Sequence, residues 1–362
     1  MPFIRVSHNV RTWAARALGL SVCCALAGAA PATATRPVWE GWSGLAPPAL
    51  LRAASSPAVP VPAAAPIVVD GVSDQNMASW YAGPSGAVFR STWERGASAR
   101  IRFARYVVPW QAGASADNHY RAALDAWYRA ASAARLIPDL AITTYTGEVP
   151  SPAEYREAVA SLLTGHSVGY LEAWNEPNHV PLLRADPALA PEYMREAAGV
   201  CAAAGCTPIA GDFLDEPGSA LYAQQYRSRL SALGVGAPIW GIHPYEDING
   251  VNAGSPDPEA EADAIAAQLQ PGQRLWITEA GAYYCFGSRF SWSPLLAAQM
   301  QRAAAERLLG TVAPGLGAAH VFYYGVFAGR GRALCPAEDT ELYDGAERPR
   351  PAAGVILAAA AR

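Results

Sequence analysis

The sequence predicts one (β/α)8 TIM barrel. Three observations carry that prediction. Short apolar segments alternate with helical patterns about eight times. The alternation fills residues 67–362, a length that suits one such barrel. Polar and aromatic side chains recur where the apolar segments stop, and in a barrel that rim carries the chemistry. A doubly wound open sheet shares the local alternation, but no glycine-rich nucleotide fingerprint follows the first strand.

Two segments precede the barrel. Arg5, Arg11 and Arg16 lead into an apolar run over 17–30, and Ala32-Thr33-Ala34 offers a small-residue cleavage site. Residues 1–34 therefore read as a secretion signal, too short to span a bilayer. The expected product is a secreted protein with no stable membrane insertion. Residues 35–66 place Pro47, Pro48, Pro57, Pro60, Pro62 and Pro66 among alanines. Proline interrupts helix and ladder alike, so this segment reads as an extended linker.

The elements follow in order. Residues 67–72 form the first strand, and 100–108 hold the second, closed by Pro109 and Trp110. Helical spacing over 118–135 puts Ala122, Leu124, Trp127, Tyr128 and Ala131 on one face. The third strand lies at 140–145. A helix over 152–163 has Ser151 as its N-cap and Pro152 at its first position. The fourth strand, 168–174, runs into Asn175-Glu176-Pro177-Asn178. Later strands fall at 207–211, 238–243, 274–278 and 319–325, with helices at 191–204, 219–233, 258–269, 294–309 and 352–361. Gly234 and Gly310 stop two of these helices.

Composition narrows the chemistry. The chain is 51% hydrophobic and 16% charged, with net charge −4 and a pI near 5.9, which offers no nucleic-acid surface. All 27 basic residues are arginines. Without lysine there is no Schiff base, no pyridoxal anchor and no phosphate-loop lysine. Beyond the signal the cysteines are Cys201, Cys206, Cys285 and Cys335. In an exported chain an even count suggests disulfides. Of three possible pairings, Cys201–Cys206 with Cys285–Cys335 is favoured, and four unpaired thiols are the alternative. No C-x-x-C or paired histidines suggest zinc.

Proline has no N–H for a ladder, so the fourth strand stops at Pro177 and leaves Glu176 at its mouth. Leu275-Trp276-Ile277-Thr278-Glu279-Ala280-Gly281 repeats that design. Two carboxylates at strand ends are the material for acid/base and nucleophile chemistry on a sugar. Other strand ends carry Asp70 or Asp74, Arg105 and Trp110, Asp212, His243 and Tyr245, and Tyr323 and Tyr324. Glu172, Trp174 and Glu176 share strand parity, so all three are expected to point inward. Glu172 is then a buried partner of Arg102 or Arg105. Asp212, Asp215 and Glu216 read as a solvated loop, and His119, His166, His179 and His320 receive no role.

Glu-Ala-Trp-Asn-Glu-Pro-Asn at 172–178 and Trp-Ile-Thr-Glu-Ala-Gly at 276–281 resemble the fourth- and seventh-strand motifs of the retaining clan A glycoside hydrolases. The cellulase-like and β-xylosidase-like families are the nearest in look. The resemblance covers residues 67–362, and the two glutamates stand 103 positions apart, which suits three β/α units. His243-Pro244-Tyr245, and Arg105 followed by Trp110, add to it.

The resemblance implies Glu176 as acid/base and Glu279 as nucleophile, with carboxyls about 5–5.5 Å apart. It implies Asn175 on the sugar 2-hydroxyl, His243 and Tyr245 orienting Glu279 or binding sugar, and Arg105 holding Glu279. Glu176 is expected to keep its proton beside the negative Glu279. Trp110, Tyr283, Tyr284, Tyr323 and Tyr324 offer sugar-stacking faces. The family's eighth strand often carries a tryptophan; this chain has Val321-Phe322-Tyr323-Tyr324-Gly325 there. The implied protein is a monomer that acts on a β-linked poly- or oligosaccharide and needs no metal or organic cofactor. The rival reading is a non-catalytic carbohydrate-binding barrel, which would keep the aromatic faces and need neither glutamate.

Overall fold

In the computed structural model the described residues are 68–94, 101–115, 118–253, 260–287, 290–328 and 338–360. The predicted signal (1–34) and linker (35–66) lie outside them, as does Cys335 of the predicted Cys285–Cys335 pair. Ten strands are described: β1 (Val69–Ser73), β2 (Phe103–Pro109), β3 (Ile137–Thr143), β4 (Tyr170–Glu172), β5 (Thr207–Leu214), β6 (Ile239–His243), β7 (Arg274–Ala280), β8 (Cys285–Phe286), β9 (His320–Tyr324) and β10 (Glu338–Asp339). Eight of them close a parallel barrel in the order β1-β2-β3-β4-β5-β6-β7-β9, with β9 returning to β1. The predicted (β/α)8 TIM barrel is therefore the fold.

The strands are apolar runs because both faces are covered. In β3 the consecutive residues Leu140, Ala141 and Ile142 are all fully buried. Helices follow at His119–Ala133, Pro152–Leu163, Leu189–Ala204, Ser219–Leu233, Ala260–Ala266, Pro294–Arg307 and Pro351–Ala360. Their ends are written locally. Ser151 and Glu154 form a reciprocal capping box ahead of Pro152, and Asn118 accepts from the Arg121 N–H. Gly205 and Gly234 close two helices in the left-handed conformation that glycine adopts without strain. Cys201 and Cys206 are disulfide-bonded across the first of these ends.

The barrel interior has two storeys. Toward the amino ends of the strands, Phe103, Ile209, Ile239, Trp276 and Phe322 form an apolar floor, with Tyr170 against it. Toward the carboxyl ends the interior turns polar and charged, with Arg105, Glu172, Asp212, His243 and Glu279 all buried. Bulges aim that upper storey. The β5–β6 register shifts between Gly211 and Phe213, and the β7–β9 register between Ile277 and Ala280. Such shifts re-aim the side chains they carry, here Asp212, Thr278 and Glu279.

Pleat parity holds for Glu172 and fails for Trp174. Ladder-type bonds continue past β4, since the N–H groups of Ala173, Asn175 and Glu176 bond the carbonyls of Ile209, Ile142 and Asp212. Regular strand geometry nevertheless ends at Glu172. Trp174 turns out to the helix layer and stacks on Tyr193 at 4.9 Å. Its inward orientation is thereby corrected: alternation applies only while the strand lasts.

Candidate active site

The charged groups of the upper storey come from five different strands, β2, β4, β5, β6 and β7. Arg105, on β2, is fully buried and joins them. Its Nε lies 2.8 Å from both Glu172 oxygens, and Nη2 lies 2.7 Å from Glu172 Oε2. Nη2 also donates to Asn175 Oδ1 at 2.7 Å and to Asp212 Oδ2 at 3.0 Å. Nη1 donates to Ser73 Oγ at 3.2 Å and to Glu279 Oε2. Of the two arginines proposed for Glu172, Arg105 is the partner; Arg102 pairs with Asp70. The three carboxylates Glu172, Asp212 and Glu279 outweigh the effect of burial and hold the Arg105 pKa well above its usual value.

Three donors converge on Glu279. Besides Arg105, Tyr245 donates to Oε1 at 2.9 Å and Ser73 donates to Oε2 at 3.3 Å. Burial, then the charge of Glu279, raises the Tyr245 phenol well above its usual value, so it stays a neutral donor. Glu176 has different company. It adopts a left-handed backbone (φ +50°), and its Oε1 lies 2.9 Å from His243 Nδ1. A non-glycine residue held there is strained, and such strain gathers at functional sites. Oxygens of Glu176 and Glu279 and a His243 nitrogen all lie within 4.8 Å of one another.

The protons lie differently from the sequence expectation. Burial alone would lower the His243 pKa, but the charge of Asp212, hydrogen bonds to Asp212 and Glu176, and Glu279 raise it to about 9. His243 is thus an imidazolium at neutral pH. Burial would raise Glu176, yet its hydrogen bond from His243, that charge, and the charges of His179 and Arg105 bring it below the usual carboxylate range. In the free protein the surroundings thus favour the charged forms of both His243 and Glu176.

Asp212 is the largest departure from the sequence reading. It is buried, sits at φ +61°, and accepts from Arg105 and from Thr278 Oγ1, with His243 Nε2 3.4 Å away. Burial opposes its charge, but Arg105 and His243 overcome that and hold it well below the carboxylate range. The solvated-loop reading is corrected: the β5 bulge turns Asp212 into the barrel. Asp215 is buried as well, and accepts from the N–H groups of Glu246 and Asp247. Ser73 and Thr278 were missed because single hydroxyls at strand ends leave no pattern.

Other expected residues lie around this cluster. Asn175 is fixed by Arg105. Trp110 follows β2, half-buried, with its indole N–H donating to the Glu148 carbonyl at 3.1 Å. Tyr324 ends β9, half-buried, near enough to Tyr245 to act on its phenol. Tyr323 is fully buried and bonds Thr340 and Ala282. Asp70 bonds His320 and Arg102, away from the glutamates, and Asp74 accepts from the Asn76 and Val326 N–H groups. After β7, the antiparallel pair β8–β10 carries an aromatic shelf, with Tyr283 stacked between Tyr245 and Phe286.

Glu172, Asp212 and His243 form a second group of ligand-type atoms within 4.8 Å. The Arg105 guanidinium already bonds Glu172 and Asp212, so the place a cation would take among them is filled by a cationic side chain. Among the described residues, no helix is long and apolar enough to cross a membrane.

No family model matches the chain, and no curated protein matches it. Solved structures do. Xylanase 10B from Thermotoga maritima is 12% identical, with a TM-score of 0.56, over 81% of this chain and 94% of that one. Xylanase 10B from Thermotoga petrophila RKU-1, determined in complex with xylobiose, gives the same identity, coverage and TM-score. Fungal β-1,4-galactanases match at 11% identity and a TM-score of 0.52, over 80% of this chain and 99% of theirs. At these identities the likeness is one of fold, the (β/α)8 barrel.

Proposed function

We propose that the chain is a secreted, retaining glycoside hydrolase that cleaves β-linked poly- or oligosaccharides by double displacement. The observation that carries this is the pairing of Glu176 and Glu279 at the ends of two barrel strands. Oxygens of the two lie within 4.8 Å. Oxygens this near leave little room for the water that a wider gap, about 6.5–9.5 Å, admits, and so favour direct attack by one carboxylate.

Glu279 is the nucleophile. Arg105, Tyr245 and Ser73 hold it in one rotamer, as attack on an anomeric carbon requires. Glu176 is the acid and then the base. A sugar covering the mouth removes water from Glu176 and favours its protonated form, so the proton is taken up as substrate binds. Once Glu279 is glycosylated, Glu176 activates the incoming water while His243 stabilises its charged form. Asn175, anchored by Arg105, meets the 2-hydroxyl of the sugar. The neighbouring barrels that are xylanases and galactanases support a β-glycan as substrate.

A panel of aryl glycosides and β-glycans tests the proposal. Wild type is expected to hydrolyse at least one with retention at the anomeric carbon. Glu279→Gln should reduce turnover about 10⁴-fold. Glu176→Ala should reduce it about 10²–10⁴-fold, and least for leaving groups that need no proton. Sugar binding with no hydrolysis anywhere on the panel would instead favour the carbohydrate-binding barrel.

A further inference from the structure

The nucleophile assigned above owes one of its donors to a very short helix. Tyr245 opens the helix Tyr245–Asn249, just past β6, and its phenol donates to Glu279 Oε1 at 2.9 Å. Five residues make little more than one turn, too few to persist alone. Groups outside the helix must therefore fix it. At its start the Asp215 carboxylate accepts from the Glu246 and Asp247 N–H groups, at 2.9 and 2.7 Å. At its end stands Asn249, buried and with no part in the scheme above.

Both polar atoms of the Asn249 side chain are engaged by backbone. The amide nitrogen donates to the Tyr245 carbonyl at 3.0 Å and to the Gly281 carbonyl at 2.9 Å. The amide oxygen accepts from the Tyr283 N–H at 2.9 Å. Two carbonyls face the nitrogen and an N–H faces the oxygen, so the amide fits in one orientation. Aspartate has the same shape but no N–H for the two carbonyls. Gly281 and Tyr283 lie on the chain leaving β7, shortly after Glu279. The contacts close a ring. It runs from Glu279 along the chain to Gly281, across to Asn249, on to Tyr245, and through the phenol back to Glu279. The Tyr245 ring also stacks on Tyr283, with centroids 5.6 Å apart and planes 15° from parallel.

We propose that Asn249 is a positioning residue for the nucleophile: it fixes Tyr245 against the exit of β7, and so aims the Tyr245 phenol at Glu279. Asn249 touches no substrate. Without its amide, the end of the helix and the exit of β7 lose their direct tie. The phenol can then drift from Oε1, which leaves Glu279 with Arg105 and Ser73, both on Oε2. Misplacing an attacking group by about 1 Å lowers turnover about 10²-fold.

The inference rests on the glycosidase reading, and a double-mutant cycle on the full chain tests it. The substrate is an aryl glycoside that wild type hydrolyses. Tyr245→Phe should lower kcat about 10–10²-fold, the loss of one hydrogen bond to a charged group. Asn249→Ala should lower kcat by a similar factor and leave KM within about threefold. Added to Tyr245→Phe, it should lower kcat less than about threefold further, because the phenol it aims is already gone. A general loosening of the fold would instead multiply the two losses, and that result overturns the inference. So does a wild-type kcat in Asn249→Ala. Asn249→Ser keeps one O–H donor and replaces Asn249→Ala in the cycle if the latter does not fold. If neither folds, the inference is overturned, since Asn249 then holds the barrel rather than Tyr245. A wild type that hydrolyses nothing removes the glycosidase reading and this inference with it; multiplied losses remove the inference alone.

Discussion

His243 decides how Glu176 holds its proton. Its imidazolium lies 2.9 Å from the carboxylate and brings it below the usual range despite burial. His243→Gln keeps a polar side chain and removes the charge. Burial and the neighbouring Glu279 are then opposed only by the charges of His179 and Arg105, so Glu176 keeps its proton to higher pH. The alkaline limb of kcat/KM, which reports the free protein, should move up by about one unit. A limb that stays or moves down would rule out Glu176 as the acid. In wild type the kcat profile should reach to higher pH than kcat/KM, because bound sugar excludes water from Glu176. The sequence showed which strand ends carry polar groups but not how they pair. Parity and the need for a cation gave Glu172 its arginine. The same parity failed two residues later, where the pleat had ended. Asp212 was out of reach because a bulge has no compositional mark beyond Gly211 before it.

Elements with chemical punctuation were legible and elements without it were not. Pro152, Ser151 and Glu154 announce one helix and Gly234 ends another, but Gly310 ends none: the helix that starts at Pro294 runs on through it in a π-helical turn, Leu308–Val312. The first β/α connection has no such run. Among the described residues it is built from Met77–Trp80, Pro84–Phe89 and the π-helical turn Arg90–Glu94, three pieces each too short for a helical period to register. The β8–β10 pair has two residues per strand, below the length at which alternation can be read. The Cys201–Cys206 disulfide follows the end of helix Leu189–Ala204. It closes a short loop, so it restricts the unfolded chain only modestly. Replacing both cysteines by serine should cost about 2 kcal/mol in urea unfolding. No measurable loss would mean that Gly205 and the helix end hold the turn without it.

The whole barrel closes where its first strand meets its last, and one missing side chain makes room for that contact. Gly71 on β1 faces Phe322 on β9, and a Cβ at 71 would lie 2.5 Å from two atoms of the Phe322 ring. The ring has little space to yield. It is fully buried and stacked against Phe103 at 5.5 Å and Trp276 at 6.0 Å, which fill the floor from β2 and β7. Alanine suits the Gly71 backbone, since its φ is not left-handed, so the conflict is one of volume alone. Gly71→Ala should destabilise by about 1–3 kcal/mol, as overpacked cores do. The loss should appear as a lower urea midpoint with an unchanged slope. Phe322→Leu in the same chain opens the space again, and the two changes touch, so their effects should fall short of additive. The upper storey rests on this floor but shares no side chain with it. Turnover per folded molecule should therefore be kept in Gly71→Ala while stability falls. If stability is unchanged, Phe322 is free to move and the seam is looser than its packing indicates.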